Sequence, residues 1–165
     1  NPIGVESKRH ISYLPDHSYL NMNQRVKEII AFFQDFYEDF DSERAYDMLQ
    51  KLNINPNDSL KSMSKGTKEK VQLILVMSRK AELYILDEPT TGLDPRNRKV
   101  LINIIKNLDK TKIITTHDLD MAMEICQRVI VLSNGKIVAD GNPHDILLNE
   151  DIMLNNGLEL PLGKY

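Results

Sequence analysis

The chain has 165 residues, 24 of them acidic and 21 basic, for a formal net charge of -3. That length suits one domain and can bury a real core, and without a basic excess nothing in the charge balance argues for nucleic acid as the main partner. The single cysteine, Cys126, permits no internal disulfide and fits a reducing compartment. Hydrophobic residues make up 41% and charged ones 27%, close to an ordinary soluble globular protein. No apolar run approaches the roughly 18 residues needed to span a bilayer, and no amino-terminal signal pattern is seen, so any membrane role is expected to be peripheral. The opening "NPIG" has no Met, which fits processing, a tag remnant or a piece of a longer chain.

Taken in chain order, "HISYLP" (His10 to Pro15) reads as a short strand stopped by Pro15. Gln24 to Asn53 reads as two helices broken near Asp41 and Ser42, with Val26, Ile29, Ile30, Phe33 and Phe36 on one apolar stripe. "NINPND" is a loop. Thr67 to Arg79 is a helix whose second half, "VQLILVM", is apolar nearly all round and therefore buried.

After this point strands and helices alternate. Leu83–Asp87 is a strand, Asp94-Pro95 starts a helix running to about Leu108, and "KIITT" (Lys112 to Thr116) is a second buried strand. Asp118 caps a helix reaching about Cys126, and Asn134-Gly135 turns a hairpin between two β-branched runs. A short helix follows near His144–Leu148, and the tail "NNGLELPLGKY" is poorly patterned. Such alternation predicts a parallel α/β sheet, with ligands at the carboxyl ends of its strands. Asp87, Glu88 and His117 all fall there.

Each candidate has a chemical and a structural reading. Asp87, ending a buried strand, can hold Mg²⁺ directly or through water. Glu88 points elsewhere, because side chains alternate, and can polarise an attacking water. Alternatively both acids cap a neighbouring helix or face solvent. His117 can hold a terminal phosphate and water, or it can be a structural histidine bonded to a carbonyl. "MSKGT" (Met63 to Thr67) opens the buried helix, with Ser64 as N-cap and Gly66 allowing close backbone approach. It is either an anion site or a plain cap.

Together these segments resemble the ATP-binding cassette (ABC) ATPases. "LYILDEP" is similar to the Walker B strand, "TGLDP" to the D-loop and "ITTHD" to the switch-histidine segment, while "MSKGT" stands in the place of LSGGQ and "SYLPD" in that of the Q-loop. All five occur in family order, from roughly Ile11 to the end of the hairpin. The front half resembles bacterial exporter and resistance ATPases, and the back half resembles cobalt and energy-coupling factor importer ATPases. The resemblance implies a P-loop NTPase-like α/β fold with a partial, mostly parallel sheet and an attached helical subdomain. It divides the chain into 1–20 (core strand end and Q-loop), 21–80 (helical subdomain), 81–150 (second half of the catalytic core) and 151–165 (tail).

The same resemblance implies ATP and Mg²⁺ as cofactors, with Asp87 and Asp16 on the metal side and Glu88 and His117 catalytic. Ser64, Lys65, Gly66 and Asp94 would contact nucleotide, the first three on a partner cassette's ATP. It further implies a homo- or heterodimer of cassettes, membrane-spanning transporter subunits contacting Asn21 to Phe40, and a place on the cytoplasmic face of the cell membrane. No nucleic acid partner is expected.

Three departures qualify this. No GxxxxGK[ST] run occurs, since "GNPHDILL" and "SKGTKEK" do not fit its spacing. The chain is accordingly expected to be the carboxyl-terminal portion of a cassette that binds ATP weakly or not at all by itself. Asp16 replaces the usual Gln of the Q-loop, and Ser-Lys-Gly-Thr replaces Ser-Gly-Gly-Gln. The alternatives are a non-catalytic fragment or dimerisation module, or a soluble ABC-type ATPase in DNA repair or translation.

Overall fold

The structure, a computed structural model, describes residues 4–16 and 20–163. The opening "NPI" and the part of "ISYLPDHSYL" spanning residues 17–19 lie outside the described residues. The chain forms two compact units, Asn1–Thr115 and Thr116–Tyr165.

The first unit is built on a three-stranded parallel sheet in the order β1 (Ile11–Leu14), β2 (Leu83–Asp87), β3 (Thr111–Thr115). Register places Leu14 beside Leu86 and Ile114, and Tyr13 beside Ile85 and Ile113. Because side chains alternate, the sheet has two unlike faces. One carries Ser12, Leu14, Tyr84 and Leu86, all buried. The other carries Tyr13 and Ile113, 51% and 52% exposed. This is the α/β fold expected from the alternating pattern.

A helical layer accompanies the sheet: α1 (Val5–His10), α2 (Val26–Phe36), α3 (Ser42–Lys51), α4 (Lys65–Met77) and α5 (Pro95–Lys106). Helix α4 is buried without a break from Val71 to Met77, as its apolar composition requires. It packs on β1 and on α3, and the Ser12 hydroxyl donates to the Val76 carbonyl at 2.8 Å. Its cap is Ser64, which accepts from the Thr67 N–H, so the helix begins two residues before the expected Thr67.

Helix α2 buries Val26, Ile29, Ile30 and Phe33, but Phe36 is 66% exposed. The stripe therefore ends one turn early, and Phe36 instead stacks on the exposed Phe32 at 5.9 Å. Tyr37 and Phe40 are half-buried and pack against Phe33.

Arg79, just past α4, is the buried tie of this layer. Its guanidinium donates to both carboxylate oxygens of Asp39 and to the carbonyls of Ile11 and Arg9, and it lies 4.2 Å from the Tyr37 ring centre. Tyr84 donates its hydroxyl to the Arg79 carbonyl. Such satisfaction is what lets a charge sit at 6% exposure.

The second unit holds α6 (Leu119–Ile125), the hairpin β4 (Val129–Ser133) and β5 (Lys136–Gly141), α7 (Pro143–Leu147) and α8 (Glu150–Asn155). Its core is Ala122, Met123, Val131, Ile146, Leu147 and Met153. Asn134 and Gly135 have φ of 50° and 73°, the left-handed pair a two-residue hairpin turn demands. Helices α1 and α8 are additions to the sequence reading. Both are six residues long, too short to show a period.

Candidate functional site

The site forms where β2 ends. Asp87 is the last residue of the middle strand and rises from the face that carries Ile85. Its carboxylate accepts a hydrogen bond from the Thr115 hydroxyl, its register partner on β3. Glu88 follows with φ of 46°, a left-handed conformation costing a non-glycine residue about 1–2 kcal/mol. Two backbone bonds hold it there: its N–H donates to the Thr115 carbonyl at 2.9 Å, and its carbonyl accepts from Thr91 at 3.1 Å. The left-handed step follows directly on the end of β2 at Asp87.

Both acids line a cleft of about 240 Å³ shared with Leu14, Pro15 and Asp16 from the end of β1, and with Lys65, Glu69 and Gln72 from α4. Two strand ends and one helix thus bring Asp16, Asp87, Glu88 and Lys65 together, residues from three separate stretches of sequence. The buried Gln72 anchors the rim, donating from its amide to the Pro15 carbonyl at 3.3 Å. Lys65 lies 3.8 Å from Glu69 and is itself 88% exposed.

The remaining candidates sit elsewhere. Ser64 is occupied as the α4 cap and meets the Thr67 hydroxyl at 2.8 Å. Gly66 packs on the turn after the acids: a Cβ there would stand 2.6 Å from the Gly92 carbonyl oxygen. Gly92, at φ of 71°, in turn lies against Glu69, whose Oε2 would be 2.2 Å from an added Cβ. Gly66 could carry nothing larger without moving backbone, whereas at Gly92 the Glu69 side chain would have to shift and the positive φ would itself be strained. Asp94 caps α5, accepting from the N–H groups of Arg96 and Asn97. The Asn97 N–H, followed by its side-chain amide, holds the Asp94 carboxyl below its usual range. His117 belongs to the second unit, exposed, with its carbonyl accepting from Leu119 just ahead of the Asp118 cap.

Among the described residues no cluster of three or more His, Cys, Asp or Glu stands ready to hold a metal ion. Mg²⁺ needs no such cage, because one or two carboxylates suffice when phosphate oxygens and waters complete the octahedron. Asp87 at the cleft fits that requirement. Sequence reading missed Thr115, Glu69 and Gln72. Only the strand alternation that places Thr115 two residues beyond Ile113 could have pointed to the first.

The family model described as "AAA domain, putative AbiEii toxin, Type IV TA system" matches residues 10–121, more than half of the chain. The chain belongs to this AAA-domain family. It is also similar to proteins named "Putative ABC transporter ATP-binding protein": 42% identical over 119 residues to one from Gloeobacter violaceus, covering 70% of this chain and 49% of that protein. One from Geobacter sulfurreducens is 45% identical over 101 residues, covering 61% and 41%. One from Methanothermobacter thermautotrophicus is 34% identical over 145 residues, covering 83% and 52%. The chain spans about half the length of these relatives. A solved structure of an ATP-binding subunit of an ABC transporter shares the fold, with a TM-score of 0.77 at 24% identity over 93% of this chain and 66% of that one. These likenesses support the ABC ATPase family for this AAA-domain chain.

Proposed function

We propose that this chain is the part of an ATP-hydrolysing transporter cassette that carries the metal-side acid and the water-activating base. The observation that carries the proposal is the pair Asp87–Glu88 at the carboxyl end of the middle parallel strand, lining one cleft with Asp16 and Lys65. Asp87, with Asp16 beside it, would hold Mg²⁺, which when bound neutralises charge on the phosphates. Glu88 would accept the proton of the attacking water. Lys65 would add positive charge toward phosphate, and His117 would orient the water or the terminal phosphate. Ser64, Gly66 and Asp94 would meet nucleotide across a cassette dimer. The isolated chain, without a GxxxxGK[ST] loop, would bind ATP weakly.

The partner side rests on α2. Phe32 and Phe36, stacked and 57% and 66% exposed, form an aromatic patch within the stretch expected to meet a membrane subunit. Aromatic residues are enriched at interface cores. Among the described residues no helix is long and apolar enough to cross a membrane, so in this proposal the cassette docks at the cytoplasmic face of the membrane on separate spanning subunits.

The test is Mg²⁺-dependent ATP turnover by the full-length cassette with Glu88→Gln. Turnover should fall about 10²–10⁴-fold while ATP binding persists; retained turnover would remove Glu88 from the base role. A second reading is a soluble ABC-type ATPase working in DNA repair or translation. Purification with nucleic acid, and without membrane subunits, would select it.

A further inference from the structure

Thr115 touches both acids of the cleft with different atoms. Its hydroxyl donates to Asp87 Oδ1. Its carbonyl oxygen, pointing along the ladder, accepts the Glu88 N–H at 2.9 Å. The residue is the last of β3 and sits directly opposite Asp87 in register. Both contacts therefore follow from one strand pairing, and a shift of β3 by one residue would break both at once.

We propose that Thr115 is the positioning residue of this site, its hydroxyl setting the direction in which Asp87 presents its carboxylate to a cation. The inference rests on the reading of Asp87 as the metal-side acid. A strand-end aspartate has a broad terminal torsion and can swing its two oxygens freely. A single hydroxyl donor fixes that torsion by occupying Oδ1, which leaves Oδ2 for a divalent ion. A carboxylate restrained in this way loses less freedom when it takes up a cation, and partners of this kind commonly govern affinity. The backbone arm is separate. It pins the left-handed turn at Glu88 and depends on no side chain, so a substitution at 115 that keeps strand geometry leaves Glu88 in place.

That separation makes the proposal testable. Thr115→Val keeps shape, β-branching and the carbonyl but deletes the hydroxyl. Thr115→Ser restores the hydroxyl on a smaller side chain. The probe is Mn²⁺ alone, titrated into the purified chain, with paramagnetic broadening of the backbone amide signals of residues 85–90 and 113–116 as the readout. Broadening of this kind detects millimolar binding and needs no ATP turnover.

Wild type should show saturable broadening centred on Asp87. Thr115→Val should need about 10-fold more Mn²⁺ or beyond for the same broadening, and Thr115→Ser should return toward wild type. Asp87→Asn should abolish it. Equal titrations for wild type and Thr115→Val, with Asp87→Asn silent, would overturn the role of Thr115 and leave Asp87 intact. Broadening that survives in Asp87→Asn, or none in wild type, would overturn the cation reading of Asp87 and this proposal with it. If Thr115→Val fails to fold, Thr115→Ala against Thr115→Ser poses the same question.

Discussion

The two faces of the sheet behave as two different materials. On one, Ser12, Leu14, Tyr84 and Leu86 are sealed. On the other, Tyr13 and Ile113 stand half in solvent, and the row they begin ends in Asp87 and Thr115. The same three strands thus bury one face and, in the proposed reading, present the site's acids from the other. The lesson is one of division of labour: a polar pair can sit at the end of the open rows because those rows were never asked to be dry.

The comparison yields predictions that would break or sharpen it. The largest effect belongs to the sealed face: Leu86→Ala should cost about 2–5 kcal/mol in urea unfolding, while Ile113→Ala on the open face should cost less than about 1 kcal/mol. Equal losses would mean the faces do not differ as described. Next, Gly92→Ala at the rim of the cleft meets both a left-handed backbone and the Glu69 carboxylate, and should cost about 1–3 kcal/mol. Calorimetry showing no loss would mean that turn yields freely.

The smallest effect lies in the helical layer. Asp41 caps α3, and the Arg44 N–H holds its carboxyl below the usual range. A lowered folded-state pKa stabilises above the unfolded value of about 3.9 and is lost as pH falls through the folded value. Stability below about pH 4 should therefore decline less steeply in Asp41→Asn, which keeps a capping oxygen but cannot titrate; the difference should stay under about 1 kcal/mol. Parallel acid-unfolding curves would exclude it.

What could be read from the sequence was local. The caps Ser64, Asp94 and Asp118 each depend on a few neighbours, and all three accept the expected helix N–H bonds. The Asn134-Gly135 turn and the apolar run of α4 were equally self-contained. Phe36 was misplaced because period alone cannot say where a helix outruns the core beneath it. The Thr115–Asp87 contact, the Gly66–Gly92 approach and the cleft shared by Lys65 and Asp87 all join residues far apart in the chain. Parallel register and helix docking decide them, and neither leaves a mark in a short window of sequence.

Arg79 has a mechanical consequence. Its four side-chain hydrogen bonds fasten the segment after α2 to the entry of β1, and the Tyr37 ring stiffens the same joint. A push on the outer edge of α2 at Phe36 is passed to its neighbour Tyr37, then through a rigid guanidinium to the root of the strand whose far end borders the cleft. The load is shared among parallel bonds rather than carried by one. Loss of the side chain at position 79 would release these parallel ties together, freeing the segment after α2 from the entry of β1.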